Sequence, residues 1–266
     1  MDAPTLFISH GSPMIALEPG DFGPALRRWA ESAPRPRALL VVSAHFQTEG
    51  GASLTSSTRP QTIHDFGGFD PALHRLRYPA PGSPELAERV ARLVRDGGFE
   101  ARLDPNRGLD HGAWIPLRFL FPDADVPVVQ LSLPAEKGWK EMVRLGAHLR
   151  PLRTDGVWVV GSGGLVHNFR QLAWEDASAP VASWASEVEG RFIDQVRSRN
   201  VEGAVRLATV DPAMKMAAPT PEHLAPAFVT LGASTDQDAY QDVYVGYRHA
   251  TLSMRTFAFN DSRPPT

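Results

Sequence analysis

A neutral imidazole carries a lone pair near pH 7, so histidine can bind a divalent metal or accept a proton without a large protonation penalty. The chain holds nine histidines and no cysteine. Thiolate nucleophiles, disulfides and Cys-type zinc sites are therefore excluded, and histidine placement carries the argument. Three of the nine follow apolar, β-branched runs. His10 comes directly after Leu6-Phe7-Ile8-Ser9 and before Gly11-Ser12-Pro13. His45 follows Leu39-Leu40-Val41-Val42-Ser43-Ala44, and His167 closes Val159-Val160-Gly161-Ser162-Gly163-Gly164-Leu165-Val166. Each stands just past the carboxyl end of an expected buried strand, the edge where open α/β sheets bind ligands. If those strands are neighbours, three imidazoles from separate segments meet in one crevice. A single loop histidine commonly does no more than bond a nearby carbonyl, but three in one register weigh against that ordinary role.

Other histidines lie in loop-like contexts. His111 stands in Asp110-His111-Gly112, and His223 in Pro219-Thr220-Pro221-Glu222-His223, a sequence suited to a helix start. His64 precedes Asp65-Phe66-Gly67-Gly68, where it would either contact substrate or steady a Gly-rich loop. His74, His148 and His249 read as structural. The glycines before His167 are expected to let backbone approach a ligand closely. Gly161-Ser162-Gly163 lacks the spacing of a serine nucleophile elbow and an obvious acid partner, so serine hydrolysis ranks last.

The elements that must position these residues can be read from periodicity. Thr5–Ser9, Leu39–Ser43, Val126–Leu131 and Val157–Val160 are expected buried strands. Helices are expected after Ser83-Pro84, with Leu86, Val90, Leu93 and Val94 on one face, and around Met142, Leu145 and Leu149. A third carries Trp184, Val188, Phe192 and Val196, while Leu252–Thr256 alternates like an antiparallel strand. The expected fold is α/β: one domain over residues 1–266, with a mostly parallel or mixed central sheet and helices on both faces. A hydrophobic content of 42% supports a core, and a net charge of −3 argues against a general nucleic-acid binder. The longest clean apolar run, Ala38–Val42, is far below the roughly 18 residues of a membrane span. The first residues lack a signal-peptide pattern, so a cytoplasmic location is expected.

Taken in order, Ser9-His10-Gly11-Ser12-Pro13, Ser43-Ala44-His45, His64-Asp65-Phe66, Asp110-His111-Gly112, Gly161–Asn168 and Pro219–His223 resemble the class III extradiol ring-cleavage dioxygenases. More narrowly, the set is similar to the 4,5-DOPA dioxygenase-like branch, related to the catalytic subunit of protocatechuate 4,5-dioxygenase. The resemblance spans residues 5 to about 231. It implies a single non-haem Fe(II) and cleavage of a catechol ring beside its two hydroxyls, with both atoms of O2 incorporated. It further implies His10 and His45 as metal ligands, His167 as the catalytic base, and His111 as a second catalytic histidine meeting substrate or oxygen. The remaining ligand is His223 or its neighbour Glu222, which leaves three-histidine and two-histidine–one-carboxylate coordination both open. His64 is a candidate substrate contact.

Two other functions use the same residues. Zn(II) on three histidines would make a hydrolase, and Zn(II) can also occupy the site in purified protein because it binds such sites more tightly than Fe(II). A non-catalytic binding protein on this scaffold is the other, although both His10 and His45 are present. The expected partners are a small catechol and O2, with no nucleic acid and no membrane. A homo-oligomer stays open, as do the preferred catechol and the cleavage position.

Overall fold

Strands that are apolar on both faces need helices above and below them. The computed structural model describes residues 2–261. It runs β1 (Thr5–Ser9), α1 (Phe22–Ser32), β2 (Ala38–Thr48), β3 (Ala52–Thr55), α2 (Pro84–Asp96), β4 (Ala101–Asp104) and α3 (His111–Leu120). It continues through β5 (Val128–Pro134), α4 (Trp139–Leu149), α5 (Pro151–Thr154), β6 (Val157–Gly163), α6 (Ser183–Arg197), α7 (Val201–Val210) and α8 (Pro212–Ala217). The last elements are α9 (Ala225–Ala233), β7 (Asp238–Tyr244), β8 (Tyr247–Arg248), β9 (Leu252–Ser253) and β10 (Thr256–Asp261).

One sheet of eight strands has the order β4-β3-β5-β2-β6-β1-β10-β7. Its middle, β5-β2-β6-β1, is parallel throughout, so four carboxyl ends reach the same edge. Antiparallel pairs flank that block, β3 against β5 on one side and β10 against β1 on the other. The expected mixed sheet with helices on both faces is thus the observed one. Successive side chains alternate between two cores. Phe7, Leu40, Val42 and Val159 pack with Val90 of α2, Leu145 of α4, Phe192 of α6 and Phe228 of α9. Leu6, Ile8, Leu39, Val41 and Val160 pack with Leu26 of α1 and Trp114 of α3. Among the described residues no helix is long and apolar enough to cross a membrane.

The helix after Ser83 forms as its pattern requires: Ser83 Oγ accepts from the Leu86 N–H at 3.2 Å, and Leu86, Val90 and Val94 are buried. Three expectations change. β2 does not stop at Ser43; its pairing with β5 breaks after Val42 and resumes at Gln47, while its pairing with β6 ends at Ser43. His45 therefore lies inside the strand but in an opened stretch of it, as irregular strand segments beside functional sites commonly do. In the tail the expected strand is split: Leu252–Ser253 pair with β8, and the long antiparallel strand begins at Thr256. The left-handed residues His249 (φ 52°) and Ala250 (φ 66°) turn the chain there and displace the strand.

The third change concerns the glycines of β6. They admit backbone, but it is the protein's own. A Cβ on Gly163 would run into the His223 carbonyl oxygen, and one on Gly161 would lie 2.5 Å from Pro226 O. Gly164 N–H bonds His223 O at 2.8 Å, so the strand end and the His223 segment are in backbone contact. Gly163→Ala is accordingly expected to cost about 1–3 kcal/mol by overpacking. Gly190→Ala, in α6 with nothing within 4 Å of the added carbon, is expected to be neutral or slightly stabilising. Thermal melts of the two variants check this; equal Tm values would refute it.

Candidate metal centre

Four chain segments deliver histidines to the carboxyl edge of β1, β2 and β6. His10 follows β1, and its N–H bonds Gly163 O at 3.0 Å. His45 is held in the opened part of β2 by its N–H to Ser43 Oγ (3.2 Å) and by Arg107 Nη2 on its carbonyl (3.1 Å). His223 precedes α9, and His167, four residues past β6, donates its N–H to Ala217 O at 2.8 Å. His111 enters from the side as the first residue of α3, which Asp110 caps by accepting from the Ala113 N–H at 3.1 Å.

The five rings form one contiguous group. Centroids are 4.9 Å apart for His10 and His45, 3.9 Å for His45 and His111, and 5.0 Å for His45 and His223. His167 lies flat against His223 at 3.5 Å, with 10° between the planes. His10, His111 and His223 are buried.

Outer hydrogen bonds assign the tautomers. Ser162 Oγ donates to Gly112 O, so it must accept from His10 Nδ1–H, 2.9 Å away. Glu222 Oε1 lies 3.0 Å from His223 Nδ1, and a carboxylate can only accept. Both rings then turn a bare Nε2 inward. His223 Nε2 is buried with no hydrogen-bond partner, and His10 Nε2 is 3.0 Å from His45 Nε2. Two imidazole nitrogens on one divalent ion, each about 2.1 Å from it, stand about 3 Å apart when they bind side by side. Ligand atoms of His10, His45 and His223 all fall within 4.8 Å of one another, so this group could hold a metal ion. His45, Asp65 and His111 form a second such group. There, however, Asp65 Oδ1 already accepts the His111 backbone N–H at 2.9 Å and lies 3.0 Å from His111 Nδ1.

Burial and the crowding of like groups keep the inner rings neutral. Burial, then the neighbouring His111 and His223, lower His45 to about 2; burial and His223 lower His167 to about 3. His10 is likewise pushed well below its ordinary value by burial and by His45, His223, His111 and His167. The carboxylates around the rings go the other way. Although burial opposes ionisation, hydrogen bonds from His223 and Thr220 bring Glu222 to about 2, and His111 brings Asp65 to about 2. Asp110, deep beneath the site, is pushed up by burial while Ser43 and Gln130 hydrogen-bond it. The result is a neutral nest of lone pairs inside a partial shell of anions, the electrostatic arrangement a divalent cation favours.

Comparison with known proteins agrees. Residues 4–258 match the family described as the catalytic LigB subunit of aromatic ring-opening dioxygenase. The chain is similar to the 4,5-DOPA dioxygenase extradiol of Beta vulgaris, 35% identical with 97% of each chain covered. It is 38% identical to that of Escherichia coli K12, covering 94% of this chain and 92% of the relative. The crystal structure of an uncharacterized protein from Escherichia coli K12 superposes with a TM-score of 0.82 at 32% identity, covering 96% of this chain and 99% of the other. The chain belongs to this family and is accordingly an enzyme of the ring-cleaving dioxygenase class.

Of the residues singled out in the sequence, His10, His45, His111, His167 and His223 come together. His64 stands outside the group: its Nε2 meets Leu76 O at 3.0 Å, which fastens the 62–77 loop, and its ring lies 5.6 Å from Trp114. Sequence reasoning gave no role to Asp65, Ser162 or Phe66. Asp65 anchors His111, Ser162 orients His10, and Phe66 sits edge-on to His111 at 5.6 Å. With Ser162 Oγ engaged on both sides and 1% exposed, serine hydrolysis has no free nucleophile there.

The depressed imidazoles make the metal-free fold acid-sensitive. Below pH 6.5 the unfolded chain takes up protons that folded His45 and His167, at about 2 and 3, refuse. Stability therefore falls as pH falls, by up to about 1.4 kcal/mol per histidine per pH unit. Glu222 and Asp65 add to the loss only below about pH 5, where their unfolded forms protonate. Thermal melts of metal-free protein from pH 7.5 to 5 should show a continuous drop in Tm; a flat profile would contradict neutral burial.

Proposed function

We propose that this chain is an Fe(II)-dependent extradiol dioxygenase that opens the ring of a DOPA-like or related catechol with O2, using His10, His45 and His223 to hold the metal. The observation that carries the reading is the set of inward lone pairs: His10 Nε2 beside His45 Nε2 at 3.0 Å, and a buried, unpartnered His223 Nε2. Glu222 is then the orienting partner of His223 and not a ligand, a carboxylate–histidine pair of the kind that fixes metal-binding tautomers. The relatives' names supply the substrate class.

Bound Fe(II) would supply Lewis acidity to the catechol hydroxyls and a redox-active centre with open positions for substrate and O2. The protein's own residues do the rest. His167, neutral beside His223, accepts the proton of the second hydroxyl, and an anionic catecholate next to it raises its proton affinity. His111, anchored by Asp65, hydrogen-bonds the negative charge that develops on oxygen. Phe66, edge-on to His111 and backed by buried Trp114, gives the ring an apolar neighbour that excludes water, and His64 holds the loop carrying Phe66. Zn(II) fits the same nitrogens, so metal content alone does not decide between iron oxygenation and zinc hydrolysis.

Anaerobic loading with Fe(II), followed by O2 uptake against a panel of catechols, tests the reading. A yellow ring-opened product is expected, and inertness to every catechol at full metal occupancy would end it. His167→Ala should lower turnover about 100-fold or more with metal content retained. His10→Ala should lose both. Glu222→Gln should bind metal about 10- to 100-fold more weakly, whereas His223→Ala should abolish binding; the reverse order would make Glu222 the ligand.

A further inference from the structure

We infer that Phe169, backed by Trp174, reads the ring substituent of the substrate and selects catechols whose substituent is apolar and extended. The inference rests on the catechol reading above and specifies its substrate.

Phe169 is 54% and Trp174 50% exposed, and each would lose apolar contact with water if covered. They are not scattered surface residues. The exposed Phe169 ring stands 4.6 Å from His167, and Trp174 stands 5.6 Å from Phe169. The pair is held in place before any ligand arrives. Asn168 Oδ1 accepts from the Arg170 N–H at 3.0 Å, and its Nδ2 donates to Met216 O at 2.6 Å, which turns Phe169 outward. Trp174 Nε1 donates to Phe169 O at 3.2 Å. The hairpin of β8 and β9 supports the loop from behind, with Ala173 N–H on His249 O at 3.0 Å. An exposed aromatic ledge that is already ordered binds with little entropic penalty. Nearby Asp176 is exposed, with Oδ1 accepting from Ser178 N and Oγ.

A catechol whose hydroxyls enter towards His10, His45 and His223 directs the opposite edge of its ring outward. A substituent on that edge would pass His167 and lie on Phe169. The choice of ligand follows: an alkyl or aryl chain gains contact with each added carbon, and a polar chain does not.

The experiment compares catechol, 4-methyl-, 4-ethyl- and 4-butylcatechol and DOPA as substrates of the Fe(II)-loaded protein. Anaerobic Kd values are measured in parallel by calorimetry. Affinity and kcat/KM should both rise about twofold per methylene, less than the roughly fourfold of complete burial. Phe169→Ala should flatten both slopes, and Phe169→Leu should keep most of them. Val210→Ala, at a 60% exposed position on α7, should change neither and controls for general surface effects. A flat wild-type series, an unchanged slope in Phe169→Ala, or DOPA outperforming 4-butylcatechol would overturn the inference while leaving ring cleavage intact. Failure to cleave any catechol would overturn the proposed function and the inference together.

Discussion

Buried imidazole nitrogens need partners, and the centre of this protein crowds several of them together. His10 Nε2 and His45 Nε2 are 3.0 Å apart, with His223 Nε2 buried nearby and without a partner. Left alone, such a group would spread, protonate or admit water. Spreading is opposed because three of the rings are fixed from outside: His10 by Ser162, His223 by Glu222, His111 by Asp65. Protonation is opposed by burial and by the other rings. A proton on His45 Nε2 can bridge to His10 Nε2 but leaves His223 Nε2 without a partner, whereas a cation between the nitrogens would satisfy all three.

The backbone devices that do so are local departures from regularity. β2 gives up its pairing with β5 between Val42 and Gln47, which frees His45 from the sheet. β6 ends in glycines because His223 and α9 press against it, so the strand trades side chains for close approach. Gly112 has a similar constraint, since a Cβ there would lie 2.5 Å from Ser43 Oγ and 3.0 Å from the His45 ring. The two hydrophobic clusters on either face of the sheet offset the cost of these irregularities.

His10, His45 and His167 were legible because each follows an apolar β-branched run, and a parallel sheet places such run ends on one edge. His111 and His223 follow no strand, and only their resemblance to a family brought them in. The residues that orient the rings were illegible for a physical reason. Asp65 and Ser162 act through contacts between segments far apart in sequence, which no periodicity encodes, whereas Glu222 was visible beside His223 but its choice between ligand and orienting partner was not. The glycines of β6 were assigned the right property, close approach, but the wrong partner, since spacing does not say what approaches. β3 and β4 are too short to stand out, β7 is longer but largely polar, and the tail strand was displaced by a left-handed turn that non-glycine residues rarely make.

The position of Glu222 has a consequence for charge. A carboxylate placed directly among the nitrogens would neutralise part of a divalent ion's charge at the point where substrate must bind. Behind the imidazole, on His223 Nδ1, the same carboxylate instead strengthens the ring as a donor. Asp65 stands in the same relation to His111, except that its approach to Nδ1 is off the hydrogen-bonding axis. The pocket between the rings is thereby left without an anion of its own. On the proposed reading, the negative charge that completes it comes from the catecholate, so the site is finished electrostatically by its substrate. A neutral ligand of the same shape would leave that charge unmatched, and the metal site would discriminate against it before Phe169 or Phe66 made any contact.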